Sequence, residues 1–321
     1  MNEKRMGTSK GIVLAMFVML GNGFLPVINN ARPKDLGEVL FTFMTILIEM
    51  VTIFPVVLIE QHMTGLPLHL IAGSKDAWRK YWKSFVCIGI LFAIATYFLV
   101  FGLSSTDSTT GAVAMKTMPI SAVFMGYFYL HEKITWQHVA CIVLMFVGII
   151  FVATKGTWQL NMISPGVIFV LIAPVLWTFG HTLSKIVLVA RAVSASQMIV
   201  IRTAISGAVL GSYYIIGMGG TNAWQIVDPG HFLFMLLMGV NYALIIHYCW
   251  YKAISCLDLN FATSLGIPSP LITALLAIVI LGEPFEWYHV IGMAVAFIGL
   301  YGIILLSRRS NDAKKHAITP S

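Results

Sequence analysis

Charge is what this sequence has least of. Only 10% of its 321 residues are Asp, Glu, Lys or Arg, against roughly 25% in a soluble globular domain, which excludes an ordinary water-soluble fold. Cysteine is scarce too. Cys87, Cys141, Cys249 and Cys256 lie in or beside apolar runs, with no C-x-x-C spacing and no histidine cluster to complete a zinc site, so they read as packing residues. There is no G-x-x-x-x-G-K-[ST] loop, so ATP is not expected to drive the protein and no cofactor is expected. No loop is long enough for an extramembrane scaffold and no nucleophile–base pair suggests a triad, so an enzyme is not expected either.

Apolar residues abound instead, at 58% of the chain with a mean hydropathy of +0.87. About 20 apolar residues cross a bilayer as a helix. Ten runs of that kind are present: 11–28, 36–59, 82–103, 109–130, 135–153, 164–185, 196–218, 231–254, 260–281 and 287–306. Turn and charge signals separate them, among them Gly73-Ser74-Lys75-Asp76, Ser104 to Thr110 and Asp228-Pro229-Gly230. The first run leads into nine more and lacks a small-residue cleavage site, so it reads as a span and not as a removable signal.

The net charge of +7 would suggest a nucleic-acid partner in a soluble protein, but its distribution gives another reading. Lys and Arg number 15 in the two tails and the loops on the tails' side, and 3 (Arg32, Lys34 and Lys155) in the opposite loops. By the positive-inside rule both termini are cytoplasmic, and no nucleic-acid partner is expected.

The chain also repeats itself. Shifted by 151, Leu130-His131-Glu132 lies over Leu281-Gly282-Glu283, Trp136 over Trp287, His138 over His289, Gly148 over Gly299 and Pro119 over Pro270. Shifted by 155, Gly11-Ile12-Val13 lies over Gly166-Val167-Ile168. The expected fold is an all-α membrane protein of ten transmembrane helices arranged as two five-helix repeats, 11–155 and 156–307, between cytoplasmic tails 1–10 and 308–321. Five is odd, so the second repeat enters the membrane inverted. That architecture belongs to secondary transporters, with the substrate site between the halves near the midplane.

On the two half-ends, Pro119 to Gly148 and Pro270 to Gly299, the sequence resembles the drug/metabolite transporter superfamily in its EamA-like ten-helix branch. The second copy fits the branch's Leu-Gly-Glu pattern; the first departs from it with His131 in place of Gly. The resemblance implies a central cavity between helices 1 to 4 and 6 to 9, with helices 5 and 10 peripheral.

Three formal charges fall deep inside spans, where a charge costs about 2.5 to 3.5 kcal/mol on insertion scales. Glu49 is either a proton-coupling carboxylate or the structural partner of Lys116 or Arg202. Lys116, three residues before Pro119, is either a cavity cation for a carboxylate or phosphate, or the partner of Glu49. Arg202 is either an anion clamp or an inter-helix brace. Weaker candidates are Trp177 and His181 on one side of span 6, and Asn241 and Tyr248 on one face of span 8 with His247 beside them as a proton relay. Gly21, Gly23 and Pro26 in span 1, Pro119 in span 4, and Pro268 and Pro270 in span 9 are the expected hinges. The repeated Glu132, Glu283, Trp136, Trp287, His138 and His289 read as fold and topology residues.

The expected function is export of a small polar metabolite, such as an amino acid or organic acid, across the plasma membrane by alternating access, driven by protons. The alternative is an uncoupled facilitator or exchanger, with nucleotide sugars or phosphate esters among its substrates. The expected partners are the small-molecule substrate, the lipid bilayer and protons; the oligomeric state is not legible.

Overall fold

The turn signals between the apolar runs become helix caps. In the computed structural model, which describes residues 2–64, 73–121, 123–124, 135–257, 262 and 264–318, the side chains of Ser74, Asp107, Ser164, Ser194 and Asp228 each accept a backbone N–H of the helix they precede. Each satisfies a donor that the first turn leaves without a partner.

We label the helices in chain order: α1 Asn2–Ala31, α2 Glu38–Thr64, α3 Lys75–Ser104, α4 Ser108–Ala114, α5 Trp136–Ala153, α6 Pro165–Val189, α7 Ala195–Ser212, α8 beginning at Pro229–Val240, α9 Ser269–Leu276 and α10 Trp287–Ile318. α8 continues as a π-helix over Asn241–Tyr248 and returns to α over Cys249–Cys256. All regular structure among the described residues is helical. Eight helices among the described residues are long and apolar enough to cross a membrane, and Ser269–Leu281 is a shorter apolar one. The fourth and ninth of the ten expected runs lie partly outside the described residues, and what is described of them is broken. α4 tightens to a 3₁₀ turn at Met115–Thr117, and α9 follows a turn at 266–268. The half-end residues Leu130, His131, Glu132 and Lys133, and the start of the ninth run, lie outside the described residues.

The principal helix contacts are α3 with α6, α1 with α8 and α9, α2 with α7 and α8, α3 with α7, α4 with α6 and α9, and α5 with α10. Exchanging each helix with the one five places along maps this set onto itself, as a two-repeat layout requires.

The α5–α10 contact makes the repeat visible atom by atom. A Cβ added to Gly148 would lie 2.5 Å from the Ala296 nitrogen and the Gly292 carbonyl oxygen, and one added to Gly299 would lie 2.6 Å from the Cys141 carbonyl oxygen and the Met145 nitrogen. Shifted by 151, Cys141 becomes Gly292 and Met145 becomes Ala296. The same backbone contact is therefore made twice, and glycine is required at both places because two helix backbones touch there. The repeated histidines are explained likewise. The Thr135 N–H donates to His138 Nδ1 at 3.4 Å and the Glu286 N–H to His289 Nδ1 at 3.1 Å, so each imidazole caps its helix start. Trp136 and Trp287 are exposed at the same two helix starts.

Glu283 accepts the Ser108 N–H and hydroxyl at 3.0 and 2.7 Å. Beside it, the Asp107 carboxylate caps α4 and lies 3.6 Å from His289. Burial alone would push this carboxyl up, but the His289 and Thr110 donors outweigh burial and hold it below the usual range.

Candidate functional site

A cavity opens where the broken fourth and ninth runs meet α1, α6 and α8. It offers about 120 Å³ to the centres of water-sized molecules, and such a space needs only about 10 to 15 Å³ to hold one water. Its wall is made by Ala15, Val18 and Asn22 of α1; Met115, Lys116, Met118 and Pro119; Pro174, Trp177 and His181 of α6; Ile246, His247 and Trp250 of α8; Ala262, Gly266 and Ile267; and Leu300 of α10. Three pairs in this wall are repeat mates: Lys116 with Ile267, Met115 with Gly266, and Asn22 with Trp177. The cavity thus lies between the two halves. Leu300 shows that α10, expected at the periphery, reaches it.

Local sequence explains how the wall is built. Pro119 has no N–H to bond the Met115 carbonyl and its ring crowds the preceding turn, where the chain winds as 3₁₀ through Lys116. Pro174 does the same inside α6, and the Thr178 hydroxyl bonds the Pro174 carbonyl at 2.8 Å. Lys116 is half-buried on the wall, and none of the described carboxylates is within ion-pairing distance of it. Trp177 Nε1 and His181 Nδ1 are buried without a hydrogen-bond partner among the described residues.

Behind the wall stands a buried triad. Arg202 Nη2 of α7 donates to Glu49 Oε1 of α2. His247 Nδ1 of α8 is 2.7 Å from that same oxygen and 3.0 Å from Arg202 Nη2. The Arg202 guanidinium lies 4.2 Å from the centre of the Phe92 ring, and Tyr242 stacks on His247 with 9° between the planes. Glu49 is 3% and Arg202 1% exposed, so these charges survive burial through each other and the Phe92 face. His247 Nδ1 has two exclusive options: protonated, it donates to Glu49; unprotonated, it accepts from Arg202. Because His247 also lines the cavity, its ring joins the cavity to Glu49.

Lys116, Trp177, His181, His247 and Pro119 are thus brought together on one wall. Glu49 and Arg202 meet behind it, so the pairing considered between Glu49 and Lys116 does not form. Asn241 and Tyr248 are not part of the wall. Asn241 Nδ2 donates to the Gly21 carbonyl at 3.0 Å, and the Tyr248 hydroxyl to Glu60 at 2.9 Å. The reason is the π-helix, whose i→i+5 bonding turns residues out of the α phase on which one shared face was counted.

The expected hinges divide. α1 runs unbroken through Gly21, Gly23 and Pro26; a Cβ on Gly21 would strike Ile245 and Asn241, and one on Gly23 would strike Ile272. These glycines permit close packing against α8 and α9. The breaks lie at Met115–Thr117 before Pro119 and at 266–268, with Pro268 just ahead of α9 and Pro270 in its first turn.

Sequence reasoning passed over Pro174, Trp250, Met115 and Met118. Pro174 carried a usable signal, because it sits within a span as Pro119 does. It also passed over Glu60, which accepts the Tyr248 hydroxyl, pairs with Lys252 at 2.6 Å and takes a hydrogen bond from Ser196.

Comparison with known proteins bears on this geometry. The profile of the EamA-like transporter family matches residues 9–154 and again 164–305. An uncharacterised transporter of Clostridium kluyveri is 24% identical over 74% of this chain and 76% of its own length. One from Archaeoglobus fulgidus is 22% identical over 73% of this chain and 82% of its own. A solved crystal structure superposes with a TM-score of 0.65 at 17% identity, covering 94% of this chain and 98% of that one, which speaks to the fold alone.

Proposed function

The chain belongs to the EamA-like transporter family, a family of membrane transporters, and from that premise we propose a secondary transporter that exports a small organic acid or amino acid across the plasma membrane. Its termini lie in the cytoplasm, its two halves rock about the cavity, and Lys116 receives the substrate's carboxylate. One observation carries this reading: a lysine without an ion pair among the described residues on the wall of a cavity lined by repeat mates from both halves. A cation in such a place is costly unless an anion joins it. Its repeat mate is Ile267, so the fold itself does not demand a charge there.

Arg202 is read as the inter-helix brace and not as an anion clamp, since Glu49 holds its Nη2. The triad is the proton-coupling device. His247 takes a proton from the cavity and turns its Nδ1 from Arg202 to Glu49, which biases how α2 of the first half sits against α7 and α8 of the second. The test uses Glu49→Gln/Arg202→Gln, which removes both charges together. In proteoliposomes this variant exchanges substrate across the membrane but no longer accumulates it when a pH gradient is imposed. Accumulation that still follows the gradient would favour the uncoupled or differently coupled reading.

A further inference from the structure

We propose that the cavity selects organic acids bearing a single negative charge on an aromatic or alkyl body, and rejects zwitterions and dianions. This rests on the reading of the cavity as the substrate site and narrows its substrate class. Charge balance is the first argument. In the state with His247 unprotonated, Lys116 is the one formal cation on the described wall, no carboxylate is among the wall's described residues, and Arg202 is paired with Glu49. A monoanion leaves no net charge in the cavity. A zwitterion pairs its carboxylate with Lys116 but leaves its own ammonium uncompensated close to a like charge, while a dianion leaves one negative charge with no partner. An uncompensated charge away from water is strongly disfavoured.

Hydrogen-bonding capacity gives the second argument. The wall holds the three N–H donors of Lys116 and the buried Trp177 Nε1 donor, which has no acceptor among the described residues, beside His181 Nδ1, likewise unpartnered there. A carboxylate accepts without donating, whereas an ammonium only adds donors. Shape gives the third: most of the remaining wall is apolar, with Trp177, Trp250, Met115, Met118 and Ile267 beside the polar Asn22, His181 and His247. Ring faces and thioethers suit an apolar body and adapt to its outline.

The experiment holds the phenyl body constant and varies charge. Binding of 3-phenylpropionate, L-phenylalanine, 3-phenylpropanamide and phenylsuccinate to the full-length protein in nanodiscs is measured by titration calorimetry, for wild type and Lys116→Met. The expected result is that 3-phenylpropionate binds at least tenfold more tightly than the other three, and that Lys116→Met removes this preference while still binding the amide, which also reports its folding. If L-phenylalanine or phenylsuccinate binds as tightly as 3-phenylpropionate, and Lys116→Met weakens them together, the single-charge selection is overturned while the cavity remains an anion site. If no compound binds the wild type, or Lys116→Met leaves 3-phenylpropionate unaffected, both the selection and the substrate role of the cavity are overturned.

Discussion

Arg202 is buried with a carboxylate and an imidazole at Nη2 and an aromatic face over the guanidinium carbon, while its Nη1 has no hydrogen-bond partner among the described residues. Removing one member of a buried pair strands the other, at a cost of about 3 to 5 kcal/mol. Arg202→Gln alone is therefore expected to lower the unfolding temperature by several degrees, Glu49→Gln alone to do likewise, and the double variant to recover most of the loss. Thermal unfolding of the three detergent-solubilised variants checks this; additive losses would mean that the two residues act independently. That Glu49, Lys116 and Arg202 fall inside apolar runs was legible from the sequence, because position follows from counting along a run. Which of them pair was not, because pairing depends on the rotation of one helix against another. Arg202 was expected as an anion clamp or an inter-helix brace, and α3 covers it with Phe92.

At the scale of elements, periodicity served where helices keep the α repeat and failed where they leave it. Trp177 and His181, counted on one side of a helix, line the same cavity from α6, a continuous α-helix over Pro165–Val189. In α8 the π stretch Asn241–Tyr248 sent three polar residues to three partners, Gly21, Glu49 and Glu60, and no residue pattern announces a π turn. The internal repeat was the stronger signal, since Gly148 and Gly299 proved to be equivalent atoms of one contact. Gly148→Leu and Gly299→Leu are accordingly expected to destabilise the protein to a similar degree, by about 1 to 3 kcal/mol or more of overpacking. Gly37→Ala, with nothing within 4 Å of the added carbon, should change little. Unfolding temperatures of the three variants decide it, and a large difference between the two leucine variants would contradict the symmetry of the contact.

For the whole molecule, polar ties between the halves include the central Glu49–Arg202–His247 triad and two further sets on either side. On one side Glu60 of the first half holds Ser196, Tyr248 and Lys252 of the second. On the other, Ser108 holds Glu283, and Asp35 meets His231 at 3.0 Å and takes a hydrogen bond from Gln225 at its carbonyl. In the transport cycle proposed above, these sets release in turn about the cavity between them. The chain's two-repeat plan and its membrane class were readable from apolar runs and the 151-residue offset, whereas these ties join residues far apart in sequence that only folding brings together.

The central claim is that this cavity, with Lys116 as its cation, is the transport site. Counterflow into proteoliposomes tests it most directly, with vesicles preloaded with unlabelled 3-phenylpropionate and diluted into labelled 3-phenylpropionate. The account predicts a transient accumulation of label above equilibrium with the wild type, and an initial rate at least tenfold lower for Lys116→Met reconstituted at the same density. No overshoot with the wild type, or an undiminished one with Lys116→Met, would contradict it.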